Sequence, residues 1–460
     1  MHCVKHRLLK TISFISVIVL STAGLRQVAF AQSGPPNIIF ITTDDQRWDT
    51  MQYMPITQKL LQAKGVTFEN YFITQSICCP SRSTFLTGLN SHHHGIWSNT
   101  GGGALFAKLG EDKSTVGTWL SAAGYRTALI GKYLNDWEGS VPWPYRPPGW
   151  SVWQAHGIVG DPYVRIEDDG DSVYYLPGLQ DSSLSIATRA VDFIIQTPAA
   201  QPLFLYFATS APHLPAPAPT QDDAVFSKMP AWNPPSFNER DTSDKPAAIS
   251  NLPLLTAAQI AQIQLDRKDQ IGSLQGVDRA VGRFIDALTV AGRINNTVII
   301  YTSDNGLMWG EHRLQGKNQA YEEAIRVPLI IAAPGVAPRV ETKLISNVDI
   351  APTIADYAGV APDLTPDGMS LKPLINNTSF PWRDAVFLEL VDVHGLRTAD
   401  HLYTEWRTGE TELYDLTTDP FELKNIAGDP AQQALITALS AQLATFGPVW
   451  PPKTGEGGGD

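Results

Sequence analysis

The chain has 460 residues, 43% of them hydrophobic and 17% charged, with 46 acidic against 34 basic side chains. That composition excludes a disordered or collagen-like chain and supplies enough core material for two or three domains, or for one large α/β core with an appendage. A net charge of −12 argues against a nucleic-acid partner, which needs a basic face, so any anionic substrate must be met by a local pocket of positive charge.

Residues 1–31 read as an address rather than as part of the fold. Lys5, Arg7 and Lys10 precede an uncharged stretch from Thr11 to Leu25, and Ala29-Phe30-Ala31 gives a small-x-small site before Gln32, the layout of a secretory signal peptide. The apolar run is shorter than the ~20 residues of a membrane span, which weighs against an uncleaved anchor, and no other segment is a span candidate. The chain is therefore expected to be exported, to the periplasm or beyond. Cleavage would remove four basic residues and no acids, deepening the net charge to −16, and would also remove Cys3. Cys78 and Cys79, adjacent in sequence, cannot staple distant parts of an exported protein, so this is no disulfide scaffold. They form a vicinal disulfide, stay as inert buried thiols, or are kept for chemistry.

Asn37 to Thr43 (NIIFITT) is a continuous apolar, β-branched run, as expected of a strand covered on both faces. Pro55 to Lys64 predicts a helix with Pro in its first turn, stopping at Gly65. Thr115 to Ala123 predicts another, ending at Gly124 and followed by a strand from Arg126 to Ile130. Trp137 to Tyr175, rich in Trp, Pro and Gly, reads as a long excursion over the sheet. A helix from Leu184 to Ile195 leads to a strand from Leu203 to Thr209, and Ala211 to Pro253 is a second excursion. Between Ala258 and Val290, residues Ile271, Leu274, Val277, Val281, Ile285 and Leu288 recur at helical spacing. Strands follow at Thr297 to Thr302 and Val327 to Ala332. Alternation of this kind predicts a doubly wound, mostly parallel α/β sheet over residues 32–380. Residues 381–460 predict a small α+β subdomain. Its short strands are followed by a helix from Pro430 to Phe446 with Asp429 as N-cap, and the Gly-rich tail from Pro451 is expected to be disordered. No internal repeat is visible.

Ligands of a doubly wound sheet bind outside the carboxyl ends of its strands. The first run ends in Asp44-Asp45 and the Thr297 run in Ser303-Asp304-Asn305-Gly306. If these strands are neighbours, three carboxylates and an amide converge, which requires a cation, and hard oxygen ligands select Ca2+ or Mg2+. Each pair alone could equally cap a helix or turn. Other strand ends bring Lys132 and His213, and His312 and Lys317 follow Asp304. Singly these are ordinary surface or loop residues. Together with a divalent cation, they suit a tetrahedral oxyanion whose bond is breaking. Pro80 and Ser81 fit the first turn of a short helix stopping at Gly88, so Cys78 sits near a helix N-terminus with Arg82 four residues on. A plain thiolate is an odd nucleophile toward an anionic ester beside a hard ion.

Cys78-x-Pro80-Ser81-Arg82, followed by Leu86-Thr87-Gly88, resembles the signature of type I sulfatases, in which the cysteine is oxidised to Cα-formylglycine by a maturation enzyme. The resemblance runs from Asn37 to about Ala427 and includes Glu412-Leu413-Tyr414-Asp415-Leu416, Asp419-Pro420 and Asn425. The Cys-Cys-Pro-Ser-Arg form, Gly131-Lys132-Tyr133-Leu134-Asn135 and Ser236-Phe237-Asn238-Glu239 look most like the N-acetylglucosamine-6-sulfatase branch. The resemblance implies an alkaline-phosphatase-like fold, with Asp44, Asp45, Asp304 and Asn305 binding Ca2+ together with the modified Cys78. It implies that Arg82 holds the formylglycine hydrate while Lys132, His213 and Lys317 contact the sulfate. By analogy the hydrate attacks sulfur, the alcohol leaves with a proton from His213 or a neighbour, and the sulfated hydrate collapses to the aldehyde. Many relatives carry a histidine where this chain has Leu134, and Asn135 or His312 is expected to fill that space at the substrate. For His92-His93-His94 a metal site, a positioning role and a solvated loop all remain open. Trp97, Trp137, Trp150 and Trp153 can stack on sugar rings or pack in the core. A sulfated sugar is the expected substrate. The rivals are a phosphonate monoester hydrolase or phosphodiesterase of the same superfamily, and a non-catalytic glycan-binding protein that keeps the thiol.

Overall fold

The computed structural model describes residues 34–137, 145–156, 163–168, 172–177, 182–216, 226 and 229–451. The expected signal peptide at 1–31 and the tail from 452 lie outside the described residues. No helix among the described residues is long and apolar enough to cross a membrane.

An eight-stranded sheet forms the centre, in the order Arg339–Glu341, Val66–Phe68, Leu329–Ala332, Thr297–Ser303, Asn37–Thr43, Leu203–Ala208, Arg126–Lys132, Val152–His156. The strands from Thr297 to Val152 in this order are mutually parallel. Leu329–Ala332 alone runs against its neighbours. The expected α/β class and mostly parallel sheet are therefore observed.

Alternation along Asn37–Thr43 explains why the whole strand is apolar. Ile38 and Phe40 pack with Phe85, Leu86, Val116 and Ile354 on one face, while Ile39 and Ile41 pack with Ile186, Leu274, Val277 and Phe284 on the other. Each such side chain contributes about 1.5–3 kcal/mol by leaving water. The helix Ala257–Val290 is capped by Thr256, whose hydroxyl accepts from the Gln259 N–H while Gln259 reaches back. It buries Ile271, Leu274, Val277, Val281 and Leu288 as the periodicity predicts.

Three local expectations change. Pro55 to Lys64 breaks into an α-helix, Pro55–Leu60, and a 3-10 turn, Gln62–Lys64. The strand expected from Val327 begins at Leu329. The Trp-rich excursion is not only a covering loop. It supplies the edge strand Val152–His156 and the hairpin of Tyr163–Asp168 with Ser172–Pro177. Trp137, Trp150 and Trp153 are buried, with Trp137 and Trp153 edge to face at 5.3 Å, so these three serve packing. Trp97 is half-buried.

Ala385–Glu389, Val393–Thr398, His401–Trp406 and Thr411–Asp415 form an antiparallel meander. Asp429 accepts from the Ala431 N–H and opens a 3-10 turn that leads into the helix Gln433–Ala444. Leu439 and Leu443 of that helix pack on Phe387, Leu396 and Leu413.

Candidate active site

The helix Cys78–Thr87 is buried along its whole length, which its polar composition would ordinarily forbid. It is tolerated because Ser83 and Thr87 return their hydroxyls to the carbonyls of Cys79 and Ser83. Gly88 closes the helix at φ +76°, a conformation that glycine adopts without strain. The flanking strands supply the rest of the site. Thr43 lies opposite Ser303 in the parallel register, so Asp44-Asp45 and Asp304-Asn305 leave the sheet side by side. Gly131, at φ +115°, lies so close to the Ala208 carbonyl that no Cβ would fit, and this close approach delivers Lys132 to the same edge.

The side chains converge as two interlocked sets of charge. Lys132 Nζ is 2.6 Å from Asp44 Oδ2, and Lys317 Nζ is 2.9 Å from Asp45 Oδ1. Arg82 Nε donates to Asp304 Oδ2 at 2.7 Å and another of its nitrogens lies 3.4 Å from Asp44. A third guanidinium N–H donates to the Lys132 carbonyl. Cys78 Sγ lies 2.9 Å from Lys317 Nζ and 3.4 Å from Asp44 Oδ1. Asn305 donates to Asp45 Oδ1, and its own Oδ1 is buried with no hydrogen-bond partner. Asp44, Asp45, Asp304 and Cys78 each bring a ligand atom within 4.8 Å of the others. The three carboxylates, with the orphaned amide oxygen beside them, fit a hard divalent cation, whereas the sulfur of an unmodified Cys78 does not. His213 Nε2 is 3.8 Å from Asp45, and its side chain is 25% exposed where the carboxylates are nearly sealed.

Burial pushes the Asp44 carboxyl up, but Lys132, His213, Arg82 and Lys317 outweigh it and hold the group well below the usual range. Asp304 goes the other way, because burial and the Asp44 charge exceed the help from Arg82. Burial, with Asp44 beside it, pushes the Cys78 thiol up to about 12 despite the two lysines. An unmodified Cys78 is therefore a protonated thiol at neutral pH, and a poor nucleophile. Both cysteines are free, which removes the vicinal disulfide.

Asp44, Asp45, Cys78, Arg82, Lys132, Lys317, Asp304, Asn305 and His213 thus gather at one point. His312 does not join them. It is buried against Glu239 and Tyr321, with Nδ1 2.6 Å from Glu239 Oε2. In the histidine triplet, His92 pairs with Glu389, His93 is exposed beside Asp367, and buried His94 meets Thr84 of the signature helix. Residues with no sequence signal also hold the site. Asn99 takes the Cys79 N–H, and Asn347 takes the Thr74 N–H and donates to Ser81. Both lie far from the signature in sequence, so only folding pairs them.

The chain is similar to known proteins in sequence and in fold. The sulfatase family model matches residues 36–360, and a model described as N-sulphoglucosamine sulphohydrolase, C-terminal, matches residues 310–447. A putative extracellular sulfatase Sulf-1 homolog of Caenorhabditis elegans is 34% identical over 77% of this chain and 52% of its own length. Human N-acetylglucosamine-6-sulfatase is 32% identical over 77% of this chain and 67% of its own. The chain thus spans about half to two thirds of these relatives. A solved structure, a complex with its substrate D-glucosamine-2-N,6-O-disulfate, superposes with a TM-score of 0.77 at 25% identity over 90% of this chain and 97% of that one. The chain belongs to the sulfatase family.

Proposed function

We propose that the protein hydrolyses sulfate esters of a carbohydrate, using a Cα-formylglycine made from Cys78 by a maturation enzyme. The observation that carries this reading is Cys78 itself: a sealed side chain at the head of a buried helix, 2.9 Å from Lys317 and beside three carboxylates. Asp44, Asp45, Asp304 and Asn305, with residue 78, would hold Ca2+, or Mg2+ in its place. When present, the ion supplies positive charge at the ester, and the hydrated aldehyde supplies one hydroxyl as nucleophile and a second that lets the product sulfate leave. Arg82 keeps Asp44, Asp304 and the Lys132 backbone in one frame through its three contacts, and on this reading it also holds the hydrate at residue 78. Lys132 and Lys317 bring the positive charge that an anionic ester needs inside an acidic protein. His213 donates Nδ1–H to the Leu214 carbonyl, leaving Nε2 to give and take a proton at the departing alcohol.

The named relatives favour a sulfated amino sugar, with a glucosamine 6-sulfate as the first compound to try. Cleavage near Ala31 and export, and a division near residue 380 into catalytic part and C-terminal subdomain, belong to the same proposal. Two measurements test it. Peptide mass spectrometry of residues 65–100 should find formylglycine, and an aryl sulfate should turn over faster than an aryl phosphate diester at equal concentration. Unmodified cysteine in active protein, or preference for the diester, overturns it. Asp304→Ala should abolish activity that added Ca2+ does not restore.

A further inference from the structure

His312, Glu323 and Glu422 meet in the interior, each offering one ligand atom within 4.8 Å of the others. They are 0%, 8% and 1% exposed. His312 Nε2, Glu323 Oε2 and Glu422 Oε1 are all buried with no hydrogen-bond partner, and these residues fall in this one cluster. The His312 tautomer follows from its other nitrogen. Nδ1 is 2.6 Å from Glu239 Oε2, a carboxyl that Lys245 also approaches at 3.6 Å; with Glu239 ionised, Nδ1 carries the proton and Nε2 presents a lone pair. Tyr321, stacked on the ring at 4.3 Å, fixes its plane. Glu422 Oε2 accepts from the Glu322 N–H, which fixes that carboxylate too.

The neighbouring cations are committed elsewhere. Lys245 donates to the Glu422 carbonyl, Arg397 pairs with Glu322, and Arg47 pairs with Glu311 and Asp49. Among the described residues neither Glu323 nor Glu422 has an ion-pair partner. Three acceptors facing one another cannot satisfy themselves; they need protons or a cation. A neutral imidazole and two carboxylates sum to a charge that one divalent ion cancels. Their mixed nitrogen and oxygen donors suit zinc rather than the calcium expected of the oxygen-rich cluster around Asp44. The Glu239–His312 pair is the carboxylate–histidine arrangement that orients a metal-bound imidazole.

We propose that His312, Glu323 and Glu422 form a second divalent-cation site, of zinc type, that clips the C-terminal subdomain to the segment carrying Lys317. His312 sits five residues before Lys317, Glu323 lies in the short helix Glu322–Ile325, and Glu422 follows the last strand of the meander. One ion joins all three pieces. The inference stands apart from the sulfatase reading, since it needs neither formylglycine nor turnover.

The experiment uses the full chain with the first cluster disabled by Asp45→Asn and Asp304→Asn, stripped with chelator and titrated with Zn2+. One equivalent should bind and survive gel filtration, as read by calorimetry and elemental mass spectrometry, and Co2+ in its place should give visible d–d absorption. Adding Glu422→Gln or Glu323→Gln should lose that equivalent while circular dichroism stays native. If the disabled background does not fold, the same substitutions in the otherwise unaltered chain should remove one equivalent of Zn2+. Equal stoichiometry with and without Glu422→Gln, or no Zn2+ bound by the folded background, overturns the site in favour of a proton shared between the two glutamates.

Discussion

The two buried polar clusters differ in how their charge is matched. Around Asp44 three carboxylates meet Arg82, Lys132 and Lys317 at 2.6–2.9 Å, and partly exposed His213 stands at the rim. Around His312 the carboxyls of Glu323 and Glu422 have no ion-pair partner among the described residues, and the cluster is sealed. The first arrangement keeps positive groups poised beside a nucleophile position, so an incoming anion meets compensation already in place. The second has no such freedom: Glu323 and Glu422 are sealed and have no ion-pair partner among the described residues, which suits the proposed holding role rather than turnover.

Substitutions can break this contrast, and the largest effect is expected at Cys78. Cys78→Ala should lower sulfate-ester turnover by about 10^4-fold or more if the residue supplies the nucleophile as proposed; residual activity near the unaltered level would remove the first cluster from the chemistry. Lys132→Met or Lys317→Met should each cost about 10^2–10^3-fold in kcat/KM, the size of losing one charge-stabilising donor. On the other side of the comparison, Glu412 accepts from the hydroxyls of Tyr321, Tyr414 and Thr404 and from the Trp406 N–H. Glu412→Ala should therefore destabilise by about 3 kcal/mol in denaturant titration, leaving these donors unpaired, while kcat changes only a few-fold. A collapse of kcat at unchanged stability would mean that the C-terminal meander acts directly in the reaction.

The smallest effect is a pH dependence. Burial, with His92 nearby, lowers the His94 imidazole to about 3, below its unfolded value. The unfolded chain then binds the extra proton, so this contribution is complete above about pH 6.5 and is lost as pH falls toward 3. Between pH 7 and 5 the advantage of the unaltered chain over His94→Gln should shrink by about 2 kcal/mol. A difference independent of pH would mean that His94 is not buried as a neutral ring.

How legible the site was depended on how local its cause is. Asp44-Asp45 and Asp304-Asn305 were readable because each follows an apolar run, and strand ends in a parallel sheet face one edge. Cys78, Pro80, Ser81 and Arg82 were readable as a compact motif whose spacing equals a helical turn. The strand Val152–His156 was hidden inside a Trp-rich stretch because a short edge strand needs only one partner and carries little pattern of its own. His312 was expected at the substrate. The structure turns it toward Glu239 and Tyr321, a direction set by residues more than seventy positions away or in another segment.

The sequence by itself determined the α/β alternation, the doubly covered central strand and the types of chemical group at the strand ends, because backbone periodicity and covalent order decide these. Only the tertiary structure decided which charges pair. It put Arg82 on Asp304 and Lys317 against Cys78, and it left the acceptors of His312, Glu323 and Glu422 facing one another. The physical reason is that electrostatic pairing depends on distances of a few ångströms between residues remote in sequence, and on burial, which no local pattern encodes.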